Sequence, residues 1–159
     1  MAGAYFKNHQ LQQALQQQQL ALTTVLYRYQ NPDPMHNPAP QDFYPENTIA
    51  EALGGKAQVL RAFYNQTKNQ QFLQKSLECH DLIFEAERAY RQVHHFESSK
   101  LAVIVESSQR TESALEDAWR FYQDFNETQA LEQAFGIAEK SKSVLLYEAL
   151  RQPGAAAVA

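Results

Sequence analysis

Cysteine, glycine and proline are all scarce in this chain, and each shortage removes a class of structure. A single cysteine, Cys79, in 159 residues rules out an internal disulfide and fits a reducing compartment. Five glycines and six prolines are too few for a turn-rich β-sandwich, and five of the prolines crowd into the segment NPDPMHNPAPQDFYP (31–45). Long hydrophobic runs are missing as well. No stretch approaches the roughly 20 apolar residues of a membrane span, and the start MAGAYFKNHQ lacks the apolar core of a signal peptide. Positive charge is not in excess either: the net charge is −4 and the pI about 5.7. Broad attraction to phosphate backbones is therefore absent, and nucleic acid is not an expected partner. These exclusions leave a soluble, cytoplasmic protein as the expectation.

What is present is a hydrophobic fraction of 44%, enough for a core, arranged at helical spacing. The expected fold class is all-α. Between Tyr5 and Tyr29, the residues Leu11, Leu15, Leu22, Val25, Leu26 and Tyr29 share one face, while Gln12, Gln13 and Gln16 through Gln19 read as a solvated side. Residues 31–45 read as an extended connector, because each proline removes a donor and restricts its predecessor. Asn47 or Thr48 is placed to cap a second helix whose stripe is Ile49, Leu53, Ala57, Leu60 and Tyr64. Gly54-Gly55 inside it costs about 1 kcal/mol per glycine relative to alanine and suggests a close helix approach. A third helix spans Gln70–Val93, with Phe72, Leu73, Leu77, Ile83, Phe84 and Tyr90. A fourth starts near Ser98-Ser99 and runs through Leu115, Ala118, Trp119 and Tyr122, so that Trp119 is expected between helices four and five. In the fifth, Leu131, Phe135, Ala138, Lys142, Leu145, Leu146 and Ala149 fall on one face. A lysine in the middle of that face needs a partner, and Glu139 at three residues' distance is the candidate for a structural Glu139–Lys142 pair.

Laying Tyr64, Leu73 and Leu77 over Tyr122, Leu131 and Phe135 aligns two stretches at an offset of 58 residues. Such self-similarity is a signature of stacked helical hairpins, each burying its face on its neighbours. The blocks ALGGKAQVLRAFYNQTKNQQFLQKSLECHDLIFEAERAYRQ, ESSKLAV and ALEQAFGIAEKSKSVLLYEALR resemble consecutive pieces of the tetratricopeptide-like repeat region of bacterial CHAT-domain proteins, whose repeats precede a caspase-like protease domain. The resemblance implies a tetratricopeptide-like α-solenoid fragment of about five helices. Residues 1–30 would end a preceding repeat, 31–46 the proline-rich connector, 47–95 and 96–151 two helical hairpins, and 152–159 a loose tail. The protease domain would follow near Arg151.

The chemistry-bearing residues favour bland roles. Cys79 and His80 are adjacent and diverge by about 100° on a helix, so they cannot form a thiolate–imidazole dyad. Glu87, His94 and His95 lack metal-ligand spacing. No metal, no cofactor and no catalytic residue is expected. The resemblance implies a non-catalytic scaffold that binds a protein or peptide, or a downstream domain of its own parent chain, and so regulates or senses for that protease. Its groove would be lined by Gln58, Arg61 and Asn65 of one hairpin and by Glu112, Glu116 and Trp119 of the next. Two alternatives stay open: a helical small-ligand-binding domain with a pocket near His80 and Glu87, and a self-associating module that uses the Gln-rich first helix.

Overall fold

The computed structural model describes the backbone of residues 2–93 and 100–150 and the side chains of residues 10–90 and 108–142. Five α-helices follow one another: α1 (Ala2–Val25), α2 (Asn47–Thr67), α3 (Gln70–Val93), α4 (Lys100–Phe125) and α5 (Gln129–Leu150), with one 3-10 turn (Pro40–Asp42) between α1 and α2. The fold is all-α, with no strand among the described residues. No helix among them is long and apolar enough to cross a membrane. The chain divides into two units, Met1–His95 and Phe96–Ala159.

In the first unit α1 packs on α2, and α2 on α3. Leu15, Leu22 and Leu26 meet Ile49, Leu53, Leu60 and Ile83 in one core, each fully buried side chain contributing about 1.5–3 kcal/mol. The cap of α2 lies one residue earlier than the sequence suggested. Glu46, in extended conformation, accepts the Thr48 N–H at 3.2 Å, while the Asn47 amide turns to Glu51 at 2.8 Å. A carboxylate does this job well, because it also faces the positive end of the helix. Met35, Phe43 and Tyr44 of the connector pack against the same core.

Both hairpins close with the same turn. Lys68 sits in the left-handed region (φ 56°) and donates its N–H to the Tyr64 carbonyl at 2.7 Å, and Asn126 (φ 55°) donates to Tyr122 at 2.7 Å. The next bond matches too, with Phe72 N–H to Asn69 O and Ala130 N–H to Glu127 O both at 3.2 Å. Each member of the second turn lies 58 residues after its counterpart. So short a turn leaves the two helices of each hairpin antiparallel.

In the second unit α4 packs on α5 through a narrower core. Ala114, Asp117, Ala118 and Phe121 are buried on α4, Ala130 and Ile137 on α5. This corrects the stripe read for the last helix. The packed face follows Ala130, Ala134, Ile137 and Ser141, while Leu131 is 36% and Phe135 68% exposed; Leu145, Leu146 and Ala149 lie outside the described side chains. The face is rotated by about one residue, or roughly 100°, because small residues let α4 and α5 approach and the bulky ones fall beside the seam.

Of the two glycines of α2, only Gly55 makes a close approach. A Cβ there would stand 2.7 Å from the Gln18 side chain of α1, whereas one at Gly54 would meet only Ile83 Cδ1, at 3.9 Å. Gly136 has nothing within 4 Å of a built Cβ. Gly136→Ala is therefore expected to stabilise the second unit by about 0.5–1 kcal/mol through helix propensity alone. A urea midpoint that falls would show that the position is not open.

Candidate functional site

The residues singled out from the sequence occupy two separate units. On α2, Gln58 and Asn65 are exposed and Arg61 is half-buried; on α4, Glu112 and Glu116 are exposed. Trp119 is 53% exposed, which corrects its expected place between α4 and α5. It lies about 100° around α4 from Ala118, off the packed face, and its ring meets Tyr122 at 5.8 Å. Glu116 pairs with Arg120 at 3.1 Å. Glu139 and Lys142 do pair, at 2.9 Å, but with side chains 50% and 73% exposed. A surface pair of this kind is worth about 0–1 kcal/mol, so it cannot anchor the last helix.

The lysine that needs a partner is Lys56. It is fully buried in α2, at the stripe position between Leu53 and Leu60. Its ammonium donates to Gln19 Oε1 of α1 at 2.8 Å and to the His36 carbonyl of the connector at 2.6 Å. Gln19, also buried, donates its amide to the Tyr29 hydroxyl at 2.8 Å and to the Asn31 carbonyl at 2.7 Å. The Tyr29 hydroxyl in turn donates to the His36 carbonyl at 2.8 Å. This corrects the reading of Gln19 as part of a solvated face.

Burial pushes the Lys56 amine down to about 8, partly offset by its attraction to Cys79 and Asp33. Burial likewise raises the Tyr29 hydroxyl. A lysine titrating near neutrality is where amine nucleophiles and bases usually begin. Here the amine is fully buried and donates to two carbonyl-type oxygens, a structural arrangement in the closed unit. The arrangement is a latch: one cation satisfies acceptors on α1 and on the connector at once.

Cys79 lies at the other edge of the latch. Its thiol donates to Asn37 Oδ1 at 3.4 Å, and the Asn37 amide donates to Glu78 of α3 at 3.1 Å. Burial pushes the thiol up to about 12, the opposite of what a nucleophilic cysteine requires. His80 is buried on the same helix. Among the described residues no three His, Cys, Asp or Glu side chains are grouped to hold a metal ion; His94 and His95 lie outside the described residues.

The other notable feature is the flank formed by Tyr122, Leu131 and Phe135. In the first hairpin the residues 58 positions earlier, Tyr64, Leu73 and Leu77, are 0%, 0% and 3% exposed. In the second, Tyr122 is half-buried and Leu131 and Phe135 are open. Trp119 and Tyr122 on α4, and Leu131 and Phe135 on α5, turn away from their packed stripes in the same rotational sense. In an antiparallel pair that puts all four on one side. An exposed patch of aromatic and aliphatic side chains that includes a tryptophan is the usual composition of a protein contact.

No family model matches the chain, and no curated protein or solved structure matches it.

Proposed function

We propose that this chain is a non-catalytic helical interaction domain of the tetratricopeptide-like kind, built from helical hairpins, whose α4–α5 flank receives a helical segment of a protein partner or of an adjoining domain. One observation carries the reading: Leu73 and Leu77, buried in the first hairpin, have as counterparts in the second Leu131 and Phe135, which stand in solvent. The shared turn at the same 58-residue offset supports treating the hairpins as two copies of one unit. The sequence blocks quoted above favour a caspase-like protease domain of the parent chain as the partner, with the repeats regulating it. A protonated, sealed Cys79 supports the absence of peptidase chemistry in this chain. Peptide cleavage by the purified protein that disappears with Cys79→Ala would overturn that part.

The test of the contact is photo-cross-linking in the native host from benzoylphenylalanine placed at Phe135, compared with the same group placed at Gln58 on the α2 groove. The expected result is cross-linking to one helical segment from position 135 and none above background from position 58. Cross-linking from position 58 alone would move the partner to the groove.

A further inference from the structure

We propose that residues 31–45 form a strap that opens as a unit over the seam of α1, α2 and α3, uncovering Cys79 while the helices stay folded. The strap is tied to the helical part of the first unit in an unusual way. Among the described residues, every hydrogen bond between it and a helix involves a side chain. The cause is in the sequence: five prolines in this stretch remove five backbone donors and leave an extended segment unable to join a ladder.

The ties fall into three groups. Gln19 and Lys56, with Tyr29, hold the Asn31 and His36 carbonyls. Asn37 reaches Glu78, the Lys75 carbonyl and Cys79 on α3. Tyr44 donates its hydroxyl to the Val25 carbonyl at 2.7 Å. Two consequences follow. With no backbone ladder to break, opening needs only the loss of these side-chain bonds and of the partly buried contacts of Met35, Phe43 and Tyr44 with the core. Opening also returns the Lys56 ammonium to water, which offsets part of the cost of breaking those bonds. Opening the strap therefore exposes less apolar surface than separating the helices and costs less than global unfolding. The prolines keep the opened strap extended, so it loses little order and recloses.

Cys79 is the only cysteine of the chain, is fully buried, and is touched by the strap through Asn37, which makes it a native reporter. The experiment is labelling of the full chain with dithiodipyridine at a series of urea concentrations, beside equilibrium unfolding. The expected labelling rate at low urea is almost independent of urea, joining the steep dependence of global unfolding only near the transition. Tyr29→Phe, which removes a strap tie without touching Cys79, and Asn37→Ala should each raise the low-urea rate by about tenfold. Leu60→Ala, which weakens the helix core and no strap tie, should lower the urea midpoint and leave the low-urea rate unchanged. A rate that keeps the global urea slope down to zero urea, or that rises with Leu60→Ala in step with the midpoint, would show that Cys79 is reached only by unfolding and would overturn the strap.

Discussion

Raising the pH from about 8 to about 9 is expected to stabilise the first unit by about 1 kcal/mol, against the usual decline of a protein in alkali. The cause is Lys56, whose amine gives up its proton near 8 in the folded chain and near 10.5 when unfolded. Between those values the unfolded chain binds more protons, so stability rises with pH. The full interval corresponds to about 3 kcal/mol. Cys79 acts in the opposite sense. Its folded value of about 12 against 9.0 unfolded means that above about 9 the native state holds the extra proton, and stability is lost there. Tyr29, also raised, adds to that loss above its ordinary value of 10.0.

The charged and titratable groups acting on the Lys56 amine come from two elements: Cys79, Lys75 and Glu78 from α3, and Asp33 from the connector. The profile predicted for the urea midpoint is therefore a rise from 8 to 9, a plateau while Lys56 and Cys79 oppose each other, and a fall above about 10.5. Cys79→Ala should extend the rise, and Lys56→Met, which keeps the stem's volume, should abolish it. A wild-type midpoint that is flat or falling between pH 7 and 9, or an unchanged profile in Lys56→Met, would contradict a buried ammonium.

The latch shows where sequence reasoning succeeded and where it stopped. The helices, the proline connector and the turn after Tyr64 were legible because periodicity and proline act locally. Lys56 and Gln19 were equally visible in principle. Gln19 follows Leu15 by four and precedes Leu22 by three; Lys56 follows Leu53 by three and precedes Leu60 by four. A polar residue on an apolar stripe in two neighbouring helices is the sign of a shared buried bond. The same reasoning applied to Lys142 named a lysine that the structure leaves at the surface, because the stripe there was drawn through the large residues. In α5 the helix contact is made by Ala130, Ala134 and Ile137. Hydrophobicity alone cannot tell a face packed within one hairpin from a face reserved for something else, and Trp119 was misplaced for the same reason.

That distinction underlies the second large effect, a contrast between two positions 58 residues apart. Leu77 is 3% exposed and Phe135 is 68% exposed, although both occupy the same place after the turn of their hairpins. Truncating Leu77 leaves a cavity and loses its transfer energy, so Leu77→Ala should cost about 2–5 kcal/mol. Phe135→Ala removes a larger side chain yet should cost less than about 1 kcal/mol, the range of surface substitutions, because most of its ring already faces water. The sole tryptophan, Trp119, reports on the second unit directly, and far-UV dichroism reports on all the helices. The decisive measurement is the pair of substitutions compared in urea unfolding by both signals. The open flank predicts a large loss for Leu77→Ala and almost none for Phe135→Ala; a loss for Phe135→Ala as large as that for Leu77→Ala would mean that the flank is already filled and is not a place for a partner.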